Sequence, residues 1–164
     1  MRHLLLLVLG CALPSLSWSF ATVVQDFSYS IGVNFGRSLN AEQKANFSPD
    51  AFVQGLTDAE QNRKLRYSDT DTAAYVQKHR AATDPMAHKL LINANKEMLS
   101  YNQGAGVGRA MLASGKTLLD PSYVGLGLKH SLGGATPQLP DSYMQKLHGE
   151  YANSIGANTP PTAK

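Results

Sequence analysis

Beyond Cys11 this sequence has no cysteine. No disulfide can staple the fold, and no thiol is left there to act as nucleophile or metal ligand. Charge is thin at 16% of residues and forms no block of one sign. The densest basic group, Arg63-Lys64-Leu65-Arg66, is too short for a nucleic-acid stripe and has no interleaved aromatics, so it reads as a solvated turn. The single tryptophan, Trp18, lies close to the start. The one long apolar run begins at Leu4 and is ended by Pro14, well short of the roughly 20 residues that cross a bilayer. No stretch alternates with period two, so strands are not expected.

What is present at the start is a three-part leader: Arg2, the apolar run, then the small-residue patterns Ser17-Trp18-Ser19 and Ser19-Phe20-Ala21. This layout is that of a secretory signal peptide over residues 1–21, with cleavage after Ser19 or Ala21. The expected product is exported, periplasmic or secreted. Lipoprotein processing at Cys11 fits less well, because the apolar stretch runs on past it. Without Arg2 the balance is 14 basic residues against 12 acidic. The rest of the chain is long enough to bury a core of its own.

Periodicity after Asp26 is helical. Phe27, Ile31, Phe35 and Leu39 fall at strict fours and line one face. Asn46 to Asp50 is a break and restart, with Ser48 as cap and Pro49 at the first helical position. Ser68 with Asp71 forms a capping-box-like start for a helix that stops near Ala82. Asp84-Pro85 opens one long helix that reaches about Ala113, Asp120-Pro121 opens another, and Pro140-Asp141 opens a last one to about Ile155. The expected fold is all-α, ending in a loose tail at 157–164.

The sequence also repeats itself. Shifted by 72, Ser28–Leu56 matches Ser100–Leu128 at ten of 29 positions without a gap. The shared residues include Tyr29/Tyr101, Gly32/Gly104, Gly36/Gly108, Pro49/Pro121, Gly55/Gly127 and Leu56/Leu128. An internal duplication is expected, with units at 22–82 and 83–156 sharing the long central helix. A glycine inside a helix costs about 0.5–1 kcal/mol against alanine. Pairs retained at identical spacing therefore point to faces where another helix comes close.

The stretch from Phe27 through Ala59, with Tyr29, Ile31, Gly32, Gly36, Asp50, Gly55, Leu56 and Asp58 at the defining positions, resembles the amino-terminal domain of exported bacterial FKBP-type peptidyl-prolyl isomerases, the macrophage infectivity potentiators among them. The second copy departs from the pattern at Gln103, Ser122 and His130. The resemblance implies an all-helical module that pairs by intertwining its first two helices. Two tandem helical-hairpin copies in one chain then form an intertwined pseudo-dimer. Tyr29, Ile31, Gly32, Phe35, Gly36, Gly55, Leu56, Tyr101, Gly104, Gly108, Gly127 and Leu128 become its packing and dimerisation residues. It also implies the cradling of unfolded clients, and it does not imply catalysis, since no strand-like segment for an isomerase domain follows.

No catalytic, cofactor or metal residues are assigned. His79, His88, His130 and His148 lack ligand spacing and read as exposed helical histidines. Gly104–Arg109 lacks the strand that a dinucleotide fingerprint needs, and Ser114–Thr117 lacks the upstream glycine of a phosphate loop. Met86, Met98, Met111 and Met144 read first as core filling and second as an adaptable binding surface. The function that follows is a non-catalytic, chaperone-like or assembly protein binding unfolded or partner chains. Two alternatives are a specific inhibitor or immunity-type binder, and an adaptor pairing with a full-length FKBP-type isomerase. A homodimer is also possible, and neither nucleic acid nor a membrane span is expected.

Overall fold

The computed structural model describes residues 20–115 and 119–157, with the side chains of Asp69 and of residues 152–157 left aside. The expected leader up to Ser19 and the tail from 158 lie outside these residues. The described chain is all-helical: α1 (Val23–Ser38), α2 (Ala41–Ala45), α3 (Pro49–Glu60), α4 (Asp69–Ala81), α5 (Pro85–Ala113), α6 (Pro121–Leu132) and α7 (Asp141–Ala157).

Each start has a local cause. The Ser48 hydroxyl accepts the Ala51 N–H ahead of Pro49, and the Asp84 carboxylate accepts the Ala87 N–H ahead of Pro85. Ser68 and Asp71 form a reciprocal capping box. The helix that starts near Asp26 stops earlier than the break at Asn46 suggests. Asn40 and Gln43 make a second capping box that sets off the one-turn α2. At about 1.5 Å per residue the 29-residue α5 is about 43 Å long. Only its second half is buried, from Met98 to Met111.

Packing does not follow chain order. The principal partner of α1 is α6 and that of α3 is α5, while α3 and α6 cross between them. Between α1 and α3, which only the short α2 separates in the chain, the Phe35 and Phe52 rings lie 4.6 Å apart. The central core joins Phe27, Phe52, Leu56, Met111, Leu119, Val124, Leu128 and Leu147, with Ile31 and Phe35 packed against it. Two satellite clusters flank it. One gathers Tyr29, Val33, Leu139 and Met144; the other holds Ala59, Tyr101 and Ala105, with Leu65 and Tyr67 alongside. Met98, Met111 and Met144 are core residues, whereas Met86 is 64% exposed.

Candidate functional site

The glycine pairs lie where the helices touch. A Cβ on Gly32 would overlap the Val124 carbonyl oxygen, and one on Gly104 would overlap that of Phe52. A Cβ on Gly127 would strike the Tyr29 carbonyl and one on Gly55 the Tyr101 carbonyl. A Cβ on Gly36 would lie 2.8 Å from Ser131 Cβ, and one on Gly108 would lie 2.9 Å from Ala59 Cβ. Each of these contacts recurs with one residue number raised by 72 and the other lowered by 72.

The polar contacts repeat in the same way. The Ser28 hydroxyl accepts the Asp120 N–H at 2.8 Å, and the Ser100 hydroxyl accepts the Ser48 N–H at 2.9 Å. The Tyr29 hydroxyl accepts the Gln138 N–H at 2.8 Å, and the Tyr101 hydroxyl accepts the Arg66 N–H at 2.9 Å. A hydroxyl or phenol from one half thus satisfies a cap or loop of the other half. Burial raises the pKa of both phenols, so each keeps its proton and donates it onward. Tyr101 donates to Asp58 Oδ2 at 2.8 Å. Tyr29 meets His130 Nδ1 at 2.9 Å, the phenol donating in the tautomer whose proton sits on Nε2. His130 lies 72 residues after Asp58, so each phenol meets a side chain able to accept at corresponding positions of the sequence.

Of the sequence-derived residues, Tyr29, Gly32 and Gly36 meet the Gly127–Leu128 side of α6, and Gly55 and Leu56 meet the Tyr101, Gly104 and Gly108 side of α5. Ile31 and Phe35 face the central core instead. The histidines are not the exposed residues expected: all four are half-buried and engaged. His88 Nε2 lies 2.8 Å from the His79 carbonyl, and the two rings stack at 4.4 Å. Their neighbours are helices that a sequence taken one segment at a time does not reveal.

His148 on α7 lies against the Phe27 ring, with Nε2 2.9 Å from Asn34 Nδ2 and 3.1 Å from Ser30 Oγ. Burial lowers its pKa below the ordinary value of 6.5. The unfolded chain then takes up this proton more readily than the folded one. The resulting stability is complete above pH 6.5 and is lost as the pH falls through the folded value. Urea midpoints measured at pH 7.5 and 5.0 should differ less in His148→Phe than in the wild type. An unchanged difference would remove His148 from this role.

Sequence reasoning missed a groove between α4 and the exposed half of α5. It encloses about 490 Å³ and is lined by Tyr67, Tyr75, Leu91 and Met98, with Asp71 and Lys78 among its polar residues. Tyr143 stands at the position of Asp71, and its hydroxyl donates to Asp26, which stands at the position of Met98, at 2.8 Å. No pattern within α4 or α5 signals the groove, because it forms only where the two helices meet. Among the described residues, no three His, Cys, Asp or Glu side chains gather as metal ligands, and no helix is long and apolar enough to cross a membrane.

Residues 24–98 match the family described as the domain amino terminal to FKBP-type peptidyl-prolyl isomerase. The match takes in α1 to α4 and the first half of α5, and the domain it describes is the one that precedes the isomerase domain. No curated protein and no solved structure matches the chain.

Proposed function

We propose that this is an exported, non-catalytic protein of envelope protein folding, in which two FKBP-amino-terminal-like units interlock as a pseudo-dimer and the α4–α5 arm holds unfolded segments of client chains. The observation that carries this reading is the open groove on one copy. Asp71 lines it, whereas the residue 72 positions on, Tyr143, donates its hydroxyl to Asp26. The groove sets Tyr67, Tyr75, Leu91 and the adaptable Met98 among Asp71, Lys78, Asn93, Asn95, Lys96 and Glu97, a mixed lining with both apolar contacts and polar partners for a bound segment. Val76, Met86 and Leu90 add exposed apolar surface on the same arm.

Light scattering should give a monomer of about 16 kDa, from an ordinary single domain of about 145 residues. The protein should slow the aggregation of chemically unfolded clients and show no proline isomerisation above background. Ala94→Arg, which places a long cation inside the groove, should abolish the protection and leave the melting temperature within about 2 °C, as expected for a surface change. Full protection by this variant would mean that the groove is not where clients bind.

A further inference from the structure

The N-terminal end of the described chain is built into the core. The Phe20 ring packs 5.1 Å from that of Tyr29 and edge-on at 4.7 Å to that of Tyr123. Its backbone nitrogen donates to Asp26 Oδ1 at 2.7 Å, and the other oxygen of that carboxylate accepts the Tyr143 hydroxyl. Asp26 is 0% exposed. Of the two cleavage patterns in the leader, Ser17-Trp18-Ser19 places the cut immediately before Phe20, and Ser19-Phe20-Ala21 places it two residues later.

We propose that the Ser19–Phe20 bond is the processing site and that the α-ammonium group released there pairs with the buried Asp26 carboxylate. The inference rests on the proposed export, whose processing peptidase is a hydrolase. Water is added across the amide, Ser19 leaves as a carboxylate, and the Phe20 nitrogen takes up protons to become an ammonium. The amide–carboxylate hydrogen bond, in which only the acceptor is charged, thereby becomes an ion pair in a dry site, with both partners charged. Cutting after Ala21 would instead discard both the Phe20 ring and its nitrogen. Tyr29 and Tyr123 would lose their aromatic neighbour, and Asp26 would lose this donor while still buried, which is costly. The mature N-terminus is thus a structural part of the fold, next to Tyr143.

The test begins with the full chain expressed in an exporting bacterial host, followed by intact mass and N-terminal sequencing of the envelope-fraction protein. A chain beginning at Phe20 supports the proposal. One beginning at Thr22 overturns it and leaves export standing, whereas an unprocessed chain overturns both. The pairing is read separately on purified chains that start at Phe20, at Ser19 or at Thr22, released from a cleavable fusion. The Phe20 form should melt highest, above the Ser19 form by about 4 °C, the shift expected when one strong contact is lost from a domain of this size. Asp26→Asn should bring the Phe20 and Ser19 forms together. Equal melting of those two forms in the wild-type background would overturn the ammonium pair.

Discussion

Gly104→Ala should destabilise the protein by about 3 kcal/mol, while Gly106→Ala, two residues along the same helix, should stabilise it by about 0.5–1 kcal/mol. The two changes share the same intrinsic gain in helix propensity, so their difference isolates what surrounds the added methyl. At Gly106 nothing lies within 4 Å of the new carbon. At Gly104 the methyl would overlap the Phe52 carbonyl oxygen, a backbone atom of α3 that moves only if the whole helix moves. The α3–α5 pair would have to separate, opening the Tyr101 and Leu56 contacts on either side, both of which are almost fully buried. Gly32→Ala should behave in the same way against the Val124 carbonyl. Thermal denaturation resolves the contrast, because the expected loss is a fall in melting temperature of roughly 10 °C. Similar melting temperatures for the two alanine variants would show that α3 and α5 do not approach as closely as described.

The glycines also show how much of the architecture could be read from the chain. Helix starts were legible because each is written locally: Ser48-Pro49, Ser68 with Asp71, Asp84-Pro85 and Asp120-Pro121 all cap the helices they announce. The close faces were legible because glycine inside a helix is unfavourable without a neighbour. The partner of each face was not. Gly32 and Gly55 lie in adjacent helices, and nothing in their spacing says that one meets Val124 and the other Tyr101. The stripe of Phe27, Ile31, Phe35 and Leu39 gave one buried face of α1, yet Tyr29, Val33 and Ser30 on other faces are buried too, because α6 and α7 cover them. Hydrophobic period detects a single water-facing boundary, and α1 has little of one. The groove was invisible for a related reason. It lies between α4 and the exposed half of α5, and neither helix alone carries a signal for it.

Where the proposed copies face each other directly, they have diverged in complementary ways. α3 crosses α6 where Val53 and Gly125 meet, positions that correspond under the 72-residue shift, and a Cβ on Gly125 would lie 3.0 Å from Val53 Cγ2. A large residue in one copy fits the glycine in the other. Two first copies paired with each other would bring Val53 against Val53 at a crossing where even one added Cβ is a tight fit. The same one-sidedness appears at Asp58 and His130, each serving the phenol of the opposite half. An adaptor that offered its first copy to another subunit would meet this obstacle unless that subunit supplied a small residue at the crossing.

A larger loss of structure is expected when the chain is divided between α4 and α5. Residues 20–82 alone keep α1 and α3 but remove α6 and α5, the principal partner of each. The Ser28 and Tyr29 hydroxyls lose the Asp120 and Gln138 N–H groups, and the glycine faces of both helices are left in water. A hairpin of helices that size buries too little apolar surface to stand alone. The fragment should therefore show no cooperative thermal transition as a monomer at low micromolar concentration. Adding residues 83–157 should restore a one-to-one complex with the helical content and melting behaviour of the parent. Val53→Gly in the first fragment should strengthen its self-association by clearing the crossing, and analytical ultracentrifugation distinguishes the two assemblies by mass. A first fragment that folds cooperatively as a monomer would mean that α1 and α3 close on each other, and the interlocked arrangement would have to be abandoned.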